Sequence, residues 1–77
     1  MRKPSEKKMA EYRNRYIGRL AVGKYDTDVL IMVLDIYHER DTYWINYYCF
    51  NNKCDYNVEL NWFECRNSWL TAPLVTP

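Results

Sequence analysis

The chain is poor in the residues that most often carry chemistry. It has one histidine, His38, and only two glycines, Gly18 and Gly23. Two isolated glycines cannot build a Gly-rich loop that cradles phosphate, and the sequence holds no nucleophile elbow and no His-Glu-x-x-His metal motif. His38 does stand beside carboxylates in "HERD", residues 38–41. That tetrapeptide falls where a hairpin turn is expected, and charged residues in such a turn face water rather than a cleft. The expectation is a protein that is not an enzyme and needs no cofactor.

Long hydrophobic runs are also missing. The longest, residues 29–34, is far too short to cross a bilayer. The charged N-terminus is not followed by the apolar stretch of a secretory leader. A cytoplasmic chain with no membrane contact is therefore expected. Cysteine is scarce and odd in number: Cys49, Cys54 and Cys65. A disulfide framework fits neither the count nor the compartment, so reduced thiols acting as small apolar side chains are expected. With His38 they would complete a Cys3His zinc set, but the C-x4-C-x10-C spacing lacks paired C-x2-C knuckles, so no metal is expected.

What the chain does have is rings and an uneven distribution of charge. Seventy-seven residues make one domain, whose small size leaves a thin stability margin. Three Trp, eight Tyr and two Phe supply large buried areas per residue to offset that. The formal net charge of +1 conceals a split: residues 1–24 carry eight Lys and Arg against Glu6 and Glu11, whereas residues 25–77 are acidic. A basic arm joined to an acidic body is the simplest division. We divide the chain into an arm at 1–16, a body at 17–71 and a loose tail at 72–77.

The arm predicts a short helix. Ser5 is placed to cap its N-terminus and Gly18 to stop it. Met9, Tyr12 and Tyr16 recur at helical spacing and share one face. A helix this short is marginal alone, so it must dock that stripe on the body or form on binding. The body predicts strands near 19–24, 28–38, 43–50 and 58–63, with a last brief one at 69–71. Strict alternation over 28–38 puts Leu30, Met32, Leu34 and Ile36 on one face and Val29, Ile31, Val33 and Tyr37 on the other. "ERDT" and "NNKCDYN" are expected turns, and "ECRNS" a short 3₁₀ turn. In "VELNWF", Val58, Leu60 and Trp62 alternate with Glu59 and Asn61, which predicts Trp62 in the core.

A long strand, a tight charged turn and a ring-bearing strand in "VLIMVLDIYHERDTYWINYY" are followed by "VELNWFECRNSWL", a strand leading through a short turn into a final short strand. This order of elements over residues 17–71 resembles the SH3-like small barrels, the group that includes Tudor and KOW-type modules. The resemblance implies a mainly β fold, a small SH3-like barrel of four to five antiparallel strands with a short N-terminal helix. The acidic loop pattern of peptide-binding SH3 domains is absent, so their proline-rich ligands do not carry over. In its shortness and its Tyr, Asn and Lys content the chain also resembles small accessory proteins of tailed phages, which would place it in a host cytoplasm.

Residues 42–52, "TYWINYYCFNN", carry rings on both faces of one strand. If Tyr43, Ile45, Tyr47 and Cys49 point inward, Trp44, Asn46, Tyr48 and Phe50 point out. The outer rings then have three uses: cover by the N-terminal helix, an interface with a host protein or a second copy in a homodimer, or stacking against single-stranded nucleic acid. Lys7, Lys8, Arg13, Arg15 and Arg19 suit phosphate contact, Arg as forked donors and Lys as point charges. The leading expectation is a nucleic-acid-binding module that uses those five cations with Trp44 and Tyr48. Its rival is a phage-type protein that binds and inhibits or redirects a host protein through an aromatic patch.

Overall fold

In the computed structural model, which describes residues 4–26 and 28–71, a short helix packs against a five-stranded antiparallel sheet. Helix α1 runs Glu6–Tyr16 and starts as the sequence predicts: the Ser5 hydroxyl accepts a hydrogen bond from Lys8 N–H. It ends at Ile17, after which Gly18 takes φ 85°, a left-handed conformation that costs glycine nothing. Arg2 and Lys3 of the arm, and the tail at 72–77, lie outside the described residues.

Strands β1 (Leu20–Gly23), β2 (Leu30–Glu39), β3 (Thr42–Cys49) and β4 (Cys54–Glu59) form a meander; helix α2 (Leu60–Arg66) then leads into β5 (Asn67–Trp69). β5 returns beside β1, giving the order β4-β3-β2-β1-β5. The β2–β3 hairpin turns through Arg40 and Asp41, both left-handed at φ 53° and 61°. That pair of angles matches the right-handed twist of the strands, which is why tight hairpins use it. The next turn is anchored by Asn51, whose side chain accepts from Leu30 N–H and donates to the Asp28 carbonyl.

The mainly β class and the helical arm agree with the sequence reading; three local expectations are corrected. First, the strand expected at 58–63 starts at Cys54, within the "NNKCDYN" stretch expected to be a turn, and ends at Glu59, and 60–66 is helix. Trp62 is consequently 45% exposed, while Leu60 and Phe63, three residues apart on one helical face, are buried. Second, "ECRNS" is no 3₁₀ turn but the end of α2 and the start of β5, so the last strand, expected at 69–71, is Asn67–Trp69. Third, the alternation over 28–38 is broken: Val33 pairs with Tyr47 and Asp35 with Asn46, leaving Leu34 as a bulge. Ile31, Val33 and Ile36 are therefore buried together, although Ile36 was expected on the face opposite Ile31 and Val33. The Asp35 carboxylate accepts the Ile36 N–H at the bulge.

The core lies on one face of the sheet. Ala21, Ile31, Val33, Ile36, Ile45 and Phe63 are all but inaccessible, with Tyr16 and Leu60 beside them. α1 closes one end of this core through its Tyr stripe: Tyr12 meets Tyr43 at 4.5 Å between ring centroids, and Tyr16 meets Trp69 at 5.6 Å. α2 closes the other, with Phe63 against Tyr47 and Trp69. The buried Asn67 side chain donates to the Phe63 carbonyl and so caps the end of α2. No helix among the described residues is long and apolar enough to cross a membrane.

Candidate functional site

Side chains alternate across β3, and the core settles which way. Ile45 and Cys49 are buried, and Tyr43 and Tyr47 pack against the core. Trp44, Asn46 and Tyr48 therefore project from the opposite, outer face. α1 covers the inner ring Tyr43, not these outer ones. Trp44 and Tyr48 remain half-buried, and Phe50 is exposed with its edge toward Tyr48 at 5.1 Å.

The register places the neighbours of each outer ring. Trp44 lies between Tyr37 of β2 and Glu59 of β4; Asn46 lies between Asp35 and Asn57; Tyr48 lies between Met32 and Asp55. Each row that crosses the face thus contains a carboxylate. Polar side chains bind the rows together. Tyr37 Oη donates to Asn57 Oδ1 at 3.0 Å, and Asn46 Nδ2 donates to Asp55 Oδ2 and to the Tyr56 carbonyl, both at 3.1 Å. Trp44 Nε1 donates to the Glu39 carbonyl at 2.9 Å, which anchors the indole near the β2–β3 turn. Burial, then the nearby Glu39 and Asp35 carboxylates, raise the Tyr37 phenol above its ordinary pKa.

At the free side of β4 the outer face continues onto α2. Trp62 faces Trp44 across Asn57, Val58 and Glu59, enclosing an open groove of about 360 Å³. The Arg66 guanidinium stacks on Trp62 at 4.9 Å. The placement of Trp62 in the core hid this groove from the sequence reading. The signal that could have found it is the helical spacing of Leu60, Phe63 and Asn67, which leaves Trp62 pointing away.

The cations of the arm occupy a different surface. Lys7, Lys8, Arg13 and Arg15 are exposed on α1. Arg13 approaches Asp35 at 3.9 Å, the only ion pair among the described residues, and both side chains are half exposed, so the attraction is weak. Arg19 is held within the fold. Its guanidinium lies 4.1 Å from the Trp69 ring centre and its Nε donates to the Thr71 carbonyl, and burial lowers its pKa. Of the expected site residues, Trp44 and Tyr48 thus share the outer face of β3, and Lys7, Lys8, Arg13 and Arg15 share α1, which borders that face at Arg13 and Asp35.

Cys49 and Cys54 are direct cross-strand partners, yet Cys49 is buried and Cys54 exposed; Cys65 is exposed on α2 and all three are free. His38 stacks edge-on against Tyr43 at 5.0 Å. Among the described residues, no three His, Cys, Asp or Glu side chains gather as a metal would require. The chain was compared with protein-family models, curated proteins and solved structures, and none of them matches.

Proposed function

We propose that the protein is a non-enzymatic docking module whose outer sheet face binds another protein. One observation carries this reading: Trp44 and Tyr48 project from β3 on the face away from α1, in rows that each contain a carboxylate. Tyr and Trp are favoured anchors of protein interfaces because they remove large area with little loss of side-chain freedom. A phosphate backbone laid over the same rings would meet Asp35, Asp55 and Glu59, an unfavourable match. The host-protein partner of a phage accessory protein is one form of this function.

The fold proposed with it is an SH3-like barrel, in which the sheet curls until its edges approach. Supporting that are the meander with β5 returned beside β1, the helix between β4 and β5, and the bulge at Leu34 that bends the longest strand.

A second reading has its own observation. Lys7, Lys8 and Arg15 stand exposed on α1 with no ion-pair partner among the described residues, a surface suited to nucleic-acid phosphates. Any such binding is confined to α1 and independent of the outer rings.

The test is affinity capture with the intact chain, repeated after nuclease treatment and with Trp44→Ala and Tyr48→Ala. Docking through the outer face predicts a captured protein that survives nuclease and is lost from both variants. Capture that vanishes with nuclease, or that ignores both substitutions, rejects it.

A further inference from the structure

β4 is an edge of the sheet, and its backbone directions can be worked out. Lys53 N–H donates to the Cys49 carbonyl, whereas Phe50 N–H donates to the Leu30 carbonyl on the other side. Backbone groups alternate along a strand, so Ile45, Tyr47 and Cys49 turn theirs toward β4 and are met by Val58, Tyr56 and Cys54. Asp55 and Asn57, the residues between, turn their N–H and C=O groups away from the sheet. An edge with unpaired donors and acceptors is a template for one more strand.

The side chains beside that edge say what kind of strand fits. Asp55, Asn57 and Glu59 point to the outer face with their partners Tyr48, Asn46 and Trp44. Their carboxylates lie four residues apart, about 13 Å along the strand. At the Glu59 end the groove between Trp44 and Trp62 offers aromatic faces. Arg66 lies over the Trp62 ring, which is still 45% exposed. A cationic side chain placed there meets an aromatic face and a carboxylate together, the arrangement that binds ammonium and guanidinium groups best.

We infer that β4 accepts an extended, basic segment of a partner protein as a sixth strand, with one Lys or Arg in the Trp44–Trp62 groove at Glu59 and another opposite Asp55. This rests on the outer face being a protein-docking surface and names the chemistry of its partner. The backbone of the added strand supplies affinity, and its alternate cations select it from neutral or acidic segments.

The experiment uses the intact chain and three synthetic eight-residue peptides with valine at alternate positions and lysine, threonine or glutamate between. Tryptophan fluorescence reads binding. The lysine peptide is expected to bind saturably, at least about tenfold tighter than the threonine peptide, and the glutamate peptide not at all. Glu59→Lys and Trp62→Ala each weaken the lysine peptide by about tenfold. Asn57→Pro removes an N–H that faces away from β3, which an edge strand tolerates, and abolishes binding. Asn57→Ala, which keeps the N–H but also loses the bond from Tyr37, retains binding. Circular dichroism confirms that each variant is folded.

Lysine-peptide binding untouched by Asn57→Pro and Glu59→Lys overturns strand addition, as does the absence of any binding. Either result leaves outer-face docking standing if capture still depends on Trp44 and Tyr48. Sedimentation that finds a dimer of the free chain, broken by Asn57→Pro, also overturns it, because the edge is then filled by a second copy.

Discussion

Trp62 and Phe63 are adjacent in sequence and opposite in environment. Phe63 is inaccessible at the centre of the core; Trp62 is 45% exposed on the groove. Phe63→Ala leaves a cavity in a small domain and costs about 3–5 kcal/mol, enough to unfold much of the population. Trp62→Ala costs less than about 1 kcal/mol, as truncations on a surface do. Urea denaturation of the two variants checks the pair. One buried phenol, Tyr16, and one half-buried phenol, Tyr47, add a pH dependence. Burial, then Glu64, raises the Tyr16 pKa, and burial, then Cys49, raises that of Tyr47. A raised folded pKa means that the folded state keeps its proton longer than the unfolded chain. The stability these groups contribute is fully present below the ordinary tyrosine pKa of about 10 and is lost as pH rises through the higher folded value. Denaturation midpoints between about pH 8 and 11.5 are expected to fall less steeply in a Tyr16→Phe, Tyr47→Phe double variant than in the parent. An equal fall in both would show that these rings are not the ones whose ionisation opens the core.

At the scale of elements, what was legible in the sequence follows from how local each signal is. α1 was readable because its cap, its stripe and its stop lie within a dozen residues and agree: Ser5, then Met9, Tyr12 and Tyr16, then Gly18. The β2–β3 hairpin was readable for a similar reason, a charged turn between two ring-bearing and β-branched strands. β4 and α2 were not. The alternation of Val58, Glu59, Leu60, Asn61 and Trp62 matches a strand, while Leu60 and Phe63 match a helix just as well, and only the core they must fill decides. The bulge at Leu34 was equally hidden, because nothing local marks the extra residue; it is set by the pairing of β2 with β3. The face of β3 stayed open in the sequence because rings occur on both sides, and it was decided by Ile45, which pairs with Ile36 and joins Val33 and Phe63 in the core. The turn itself carries a prediction. Asp41 is left-handed, a conformation that glycine adopts without steric cost. Asp41→Gly is therefore expected to raise stability by about 0.5–1 kcal/mol, read as a higher urea midpoint with an unchanged slope. A fall in the midpoint would mean that the Asp41 side chain contributes more than its backbone strain costs.

The whole molecule gathers cations on α1 and sets its outer rings among carboxylates on β3 and its neighbours. Lys7, Lys8, Arg13 and Arg15 stand on α1 and the outer rings project from β3, and the two surfaces meet along β2, where Arg13 reaches Asp35 at 3.9 Å. The sequence holds both ingredients of a nucleic-acid site, a basic arm and exposed aromatics, and the fold sets Trp44 and Tyr48 in rows with carboxylates while Lys7, Lys8 and Arg15 stand on α1. Because of those carboxylates, the proposed function gives the rings to a protein partner and leaves phosphate contact to α1. The three indole N–H groups report on it directly, because Trp44 and Trp62 line the groove whereas Trp69 lies under Arg19 and against Phe63. The decisive measurement is a nitrogen-edited NMR titration of the three indole signals, once with the alternating lysine peptide and once with a single-stranded oligonucleotide at about 50 mM salt, where phosphate contacts are strongest. Protein docking at the outer face predicts that the peptide shifts the Trp44 and Trp62 signals and spares Trp69, while the oligonucleotide leaves Trp44 and Trp62 in place and perturbs at most the amides of α1. An oligonucleotide that shifts Trp44 and Trp62, beside a peptide that shifts neither, would contradict it.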